Sequence, residues 1–215
     1  MSNPESFIDE VTEEVRRDKL FGYFRRYGWI AILAVLLIVG GAAAREYRMA
    51  QFQSQSKAFG DALMTALDMN DAAARRVALS EIEAPGQRGA ILGLLLASDP
   101  SSDRSAALAA LEKVAADTTL PPSYKDLAVL RRVILAGSEI SAADRKALLD
   151  PIAVAGRPYR VLAQEQLAML LAEGGDNAGA IAALEALRQD QEATPALRSR
   201  VEQVIVALGG TPATN

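Results

Sequence analysis

Residues 27–44, YGWIAILAVLLIVGGAAA, carry no charged side chain and are closed at either end by Arg26 and Arg45. Wound as a helix, this run is roughly 27 Å of apolar rod at ~1.5 Å per residue, close to the thickness of a bilayer core. Tyr27 and the single tryptophan, Trp29, stand at one mouth, where amphipathic rings favour the headgroup region, and Arg25, Arg26 and Arg45 supply charged ends. Such a segment is buried in a soluble core, removed as a signal peptide or kept as a span. A soluble core has little need of so long an uncharged run with aromatic and basic ends. Ala42-Ala43-Ala44 does offer an A-x-A cleavage pattern, but the leading 26 residues are long and mixed in charge where a signal peptide is short and basic. A retained transmembrane helix is therefore expected.

The basic residues beside the span give it a direction. Arg16, Arg17, Lys19, Arg25 and Arg26 precede it, against Arg45, Arg48 and Lys57 in a similar window after it. This bias favours a cytoplasmic N-terminus. The remainder then lies outside the inner membrane, in the periplasm of a Gram-negative cell.

About 170 residues follow the span, enough for one domain with its own core. The chain has a net charge of −4, and no basic face is available to attract nucleic acid. Cysteine and histidine are both absent. Without them no disulfide framework, thiol or imidazole nucleophile, triad base, zinc site or haem ligand can be built. Ser54-Gln-Ser-Lys57 matches the S-x-x-K of penicillin-recognising enzymes, but the accompanying S-D-N and K-T-G are missing. The stretch reads as an ordinary polar helix leaving the membrane. Neither a G-x-G-x-x-G nor a P-loop occurs. Asp99, Asp103, Asp117 and Asp176 stand at loops and helix ends, where capping accounts for them. No enzymatic activity, cofactor, metal or small-molecule substrate is expected.

The region beyond the span has a period. Pro85, Pro122, Pro158 and Pro195 are spaced by 37, 36 and 37 residues. Each is expected to open a helical run, where proline's missing amide costs nothing. Second breaks fall between them at Asp99-Pro100-Ser-Ser-Asp103, Gly137-Ser138 and Gly174-Gly175-Asp176-Asn177. SAALAALEKVAAD (105–117) aligns without gaps on AGAIAALEALRQD (178–190), 73 residues or two periods later. Helical pairs recurring at this length are the signature of an α-solenoid. Small residues at Ala90, Ala107, Ala128, Ala163 and Ala180 would let helices approach, while Leu94, Leu111, Leu130, Leu167 and Leu184 fill the space between. The unit from Pro122 to Arg157 matches the others poorly, so an irregular helical bundle is the competing architecture. With no proline from Tyr27 to Asp71, the membrane helix is expected to continue outward to about Met69.

The resulting fold class is all-α: one N-terminal transmembrane helix followed by a tetratricopeptide-like α-solenoid of helix-turn-helix pairs. Its divisions are a cytoplasmic amphipathic segment (1–26), the span (27–44), the solenoid (45–208) and a flexible tail (209–215). In the first of these, Ser6-Phe-Ile-Asp9 reads as a capping box before Val11, Val15, Phe21 and Phe24 at helical spacing.

The order of a short acidic-basic N-terminus, an FRRYGWIAI entry, a single span, an REY exit and degenerate tetratricopeptide-like pairs resembles the YfgM family across nearly the whole chain. The resemblance implies a bitopic inner-membrane protein with a periplasmic tetratricopeptide-like domain, associated with the SecYEG translocon and with periplasmic chaperones such as PpiD. The large aromatic residues of the tetratricopeptide consensus are missing, and only Gly175-Asp176 with Ala180 matches its central turn. The family has no catalytic residues to carry over.

Physical reasoning also leads to an interaction role, because stacked helix pairs present one wall lined by the first helix of each pair. By register, Lys125, Arg132, Arg160 and Gln164 could face that wall and meet a partner, or be solvated surface residues. The expected function is a membrane-anchored periplasmic interaction module, an ancillary translocon or chaperone-network component for exported proteins. The alternative is a structural accessory subunit of another inner-membrane complex, such as a respiratory one. Small residues from Gly40 to Ala44 would suit close helix packing in either case.

Overall fold

A computed structural model describes residues 4–99 and 103–211; within the first helix, side chains are described from Arg25 onward, Ala31 apart. The described residues are all-helical, with no strand. The helices are α1 (Pro4–Leu67), α2 (Ala72–Ser80), α3 (Gln87–Leu96), α4 (Arg104–Ala116), α5 (Pro122–Ala136), α6 (Ala142–Leu149), α7 (Arg160–Glu173), α8 (Asn177–Arg188) and α9 (Pro195–Ala207). The chain divides into two units, residues 1–61 and 62–215.

The first unit is a single helix. Its apolar stretch is long enough to cross a membrane, and none of the described residues in that stretch is buried. Leu37 and Ile38 are 68% and 71% exposed. A helix of a soluble core would be covered. The Arg26 guanidinium lies 6.0 Å from the centroid of the Tyr27 ring, a cation–π arrangement at the mouth of the apolar run. Tyr27 and Trp29 are exposed, as are Arg25, Arg26 and Arg45. Because α1 begins at Pro4, Ser6 lies inside the first turn and not at its cap. The side chains of Val11, Val15, Phe21 and Phe24 lie outside the described set, as do tail residues 212–215. At the other end α1 runs unbroken to Leu67, and Met69 N–H still donates to the Ala66 carbonyl.

In the second unit, helices pack against those next or next-but-one in order, with α3 on α4 and α5, α5 on α6 and α7, α7 on α8, and α8 on α9. Apolar side chains form a chain of cores that matches this order. Ala66, Leu79 and Leu92 join the last turn of α1 to α2 and α3. Ala90, Ala107, Leu111 and Ala128 join α3, α4 and α5. Leu130, Leu149 and Ala163 join α5, α6 and α7, and Ala168, Leu184 and Val201 join α7, α8 and α9. The five alanines anticipated at close helix approaches are all buried, and so are Leu111, Leu130 and Leu184; Leu94 and Leu167 are partly buried against these cores.

The internal similarity reaches side-chain level. Ala107, Leu111 and Val114 of α4 are buried, and so are Ala180, Leu184 and Leu187 of α8, each 73 residues later. Even the caps correspond. Asp103 accepts from Ala106 N–H at 3.0 Å, and Asp176 accepts from Gly179 N–H at 2.9 Å. A capping carboxylate satisfies amides that the first turn leaves without partners.

The prolines fall into two classes. Pro122 and Pro195 occupy the first turns of α5 and α9, as anticipated. Pro85 and Pro158 instead lie one residue before the caps of α3 and α7, which are Gly86 and Tyr159. There they stiffen the approach to the helix. Gly86 takes φ 62°, a conformation that a residue with a Cβ adopts reluctantly, so the entry to α3 depends on this glycine. The Pro122–Arg157 unit differs from its neighbours because α6 has only 8 residues and hands over to a 3₁₀ turn at Asp150–Ile152.

Arginines close several helix ends. Arg131 donates to the Leu94 and Ala97 carbonyls at 3.0 and 3.1 Å, and Arg104 to the carbonyls of Leu135 and Ala136. Each places a cation at the negative end of a helix while filling carbonyls that have no intrahelical partner.

Candidate functional site

Helices α5, α7 and α9 contribute one side each to an open groove of about 460 Å³. Leu130 and Ile134 come from α5, Leu162, Glu165, Gln166 and Met169 from α7, and Arg200 and Val204 from α9. The spacings 130/134, 162/166 and 200/204 place each set on one helix face. Ile134 is 56% exposed and Met169 40%, so the groove presents apolar side chains to its surroundings. Its volume falls in the range that binding clefts occupy.

Charge in this groove is confined to one ion pair. Glu165 is a buried carboxylate, 5% exposed, and Arg200 meets it with Nε on Oε1 and Nη2 on Oε2, both at 2.6 Å. This bidentate geometry is the strongest form of the contact. Hydrogen bonding to Glu165 raises the Arg200 pKa further, so the guanidinium is permanently charged. The side chain of Arg200 remains 52% exposed.

Lys125, Arg132, Arg160 and Gln164 lie elsewhere. Counting ~100° per residue, they stand roughly half a turn from the groove-facing positions of α5 and α7. Arg132 Nη2 pairs with Glu112 of α4 at 3.3 Å. Lys125 is half-buried near Asp117, whose carboxyl is held low chiefly by the hydroxyl and amide of Thr119 and to a lesser degree by this lysine. Arg160 binds Asp190 at 2.7 Å and Glu192 at 2.9 Å, and donates to Gln164 Oε1 at 3.2 Å. Gln164 in turn donates to the Ala153 carbonyl at 3.1 Å. Arg160 and Gln164 thus tie α7 to the loop after α8 and to the turn before α7. Asp190 is held below the usual carboxylate range first by Arg160 and then by the Glu192 amide.

Sequence reasoning passed over Ile134, Met169 and Val204, because apolar residues at helical spacing read as core. The available signal was excess. Helix α7 carries apolar residues around most of its circumference, more than packing on α6 and α8 can cover.

Ser54 and Lys57 are exposed on α1. Among the described residues, no three acidic side chains are grouped to hold a metal ion. No family model, curated protein or solved structure matches the chain.

Proposed function

We propose that this chain is a membrane-anchored interaction module. On this reading α1 crosses the inner membrane with its N-terminus in the cytoplasm. The helices after it form a tetratricopeptide-like solenoid in the periplasm. The α5–α7–α9 groove takes apolar segments of other proteins. The observation carrying the reading is exposed Ile134 and Met169 lining the same groove as a fixed Glu165–Arg200 pair, an apolar surface with one oriented ion pair. The solenoid is supported by neighbour-to-neighbour packing and by the matching caps and cores of α4 and α8. Together with the resemblance to the YfgM family, this favours an ancillary role at the Sec translocon, with PpiD-like chaperones as neighbours and exported proteins as clients.

A photo-crosslinking residue at 134 or 169 in the full-length membrane protein tests this directly. Newly exported polypeptides captured transiently, along with translocon components, are the expected products. Capture of one fixed stoichiometric partner, unchanged through a chase, would instead assign the chain to a permanent complex such as a respiratory one. No captured protein at either position would remove the groove from consideration.

A further inference from the structure

The Glu165–Arg200 pair is accessible from one partner only. Both carboxylate oxygens of Glu165 accept from Arg200, and the glutamate is 5% exposed. Arg200 makes the contact through Nε and Nη2, which leaves Nη1 outside the pair, and its side chain is 52% exposed. Among the residues lining the groove no other is charged. An occupant therefore meets a cationic edge set among apolar side chains, while the balancing carboxylate is turned inward and saturated. Because two bonds already hold the guanidinium, it needs little reordering to receive a second acceptor.

The helices that build the groove also limit the shape of what fits it. Every lining residue belongs to an α-helix, so the walls offer no sheet edge on which an extended peptide can satisfy its main chain. A helical occupant satisfies its own. Met169 lies four residues beyond Glu165 on α7, and Val204 four beyond Arg200 on α9, so on both helices apolar side chains follow the charge by one turn. Taking the groove as the docking surface proposed above, we infer that its occupant is an amphipathic helix of another protein whose apolar face carries one carboxylate side chain, a turn away from its large aliphatic residues and seated against Arg200. Met169 is unbranched and adapts to neighbours of differing shape, so the carboxylate, more than any particular apolar sequence, decides which segments are accepted. A lysine at that place would face the guanidinium with no free carboxylate to receive it, which selects against basic segments.

The probe is an N-acetylated, C-amidated amphipathic helical peptide with leucines and one glutamate on the same face, bound to the full-length protein in nanodiscs. Replacing that glutamate by glutamine should weaken binding about threefold, as for a half-exposed ion pair, and replacing it by lysine about tenfold. Moving the glutamate to the polar face should cost as much as its removal. In the double variant Glu165→Met, Arg200→Met, the ratio between the glutamate and glutamine peptides should fall to about one. A photo-crosslinking residue at 134 reports whether the peptide occupies the groove. Cross-linking at 134 with equal affinity for the glutamate and glutamine peptides would overturn the charge requirement and leave the groove as a docking surface. A proline-interrupted glutamate peptide that bound equally well would overturn the helical occupant. Preference for a glutamine peptide with a free C-terminus would overturn the side-chain carboxylate in favour of a chain end. Absence of both binding and cross-linking for every peptide would overturn the groove reading itself.

Discussion

Glu165 of α7 and Arg200 of α9, both lining the groove, share two parallel bonds of 2.6 Å, 35 residues apart in sequence. The carboxylate is buried and the guanidinium half-exposed. Removing the arginine leaves a buried charge uncompensated, a larger loss than deletion of an exposed pair and a smaller one than deletion of a fully buried pair. Arg200→Met should lower stability by about 2 kcal/mol, and adding Glu165→Met should restore most of it. Thermal unfolding of the detergent-solubilised chain, followed by helical circular dichroism, measures both. Equal losses in the single and double variants would show that the pair is energetically idle.

Binding and stability should separate across α7. Met169→Asp places a charge on the exposed apolar face and should reduce cross-linking at position 134 several-fold with little change in melting temperature. Arg160→Glu reverses a side chain bound to Asp190 and Glu192, so it should destabilise the chain. If Arg160→Glu reduced capture while leaving the melting temperature unchanged, the partner would be meeting the opposite side of α7.

The equivalence of α4 and α8 predicts equal penalties. Leu111 and Leu184 are both fully enclosed, and truncation of either to alanine should cost about 3 kcal/mol, as expected for a core leucine. Asp176→Ala should cost about 1 kcal/mol through loss of the cap, with Asp176→Ser retaining most of the stability. Urea unfolding curves of the four variants test the prediction, and a twofold disparity between the two leucines would break the equivalence.

Acid should unfold the chain through identifiable carboxylates. Glu173 is depressed chiefly by its hydrogen bond to Arg145, Asp190 by Arg160, and Asp103 by the amide of Ala106. A depressed folded pKa means that the stabilisation is complete above the unfolded values, near 4.5 for Glu173 and 3.8 for the aspartates, and is lost as pH falls below them. The melting temperature should therefore be flat on these groups' account between pH 6 and 8 and should drop below about pH 4. In Asp190→Asn the drop should be shallower, and an unchanged acid limb would exclude Asp190 as a contributor.

Sequence reasoning located the elements well because their signals are local. The uncharged run, the aspartates before α4 and α8, and the buried alanines all follow from spacing and capping preferences. Pro85 and Pro158 were harder to place, because proline tolerates the position before a cap as well as the first turn. The groove was illegible for a different reason. Whether Ile134 and Met169 are core or surface depends on which neighbouring helices reach them, a tertiary outcome that periodicity does not encode. Arg160 looked free because its partners, Asp190 and Glu192, lie 30 and 32 residues further on.

The order in which helices touch has a consequence for biogenesis. Since each core in the second unit is completed by helices adjacent or nearly adjacent in the chain, loop-closure costs stay small at every step. A polypeptide synthesised from its N-terminus can dock α4 before α7 has been made, and α7 before α9. The second unit can therefore be assembled with one unfinished hydrophobic surface at a time.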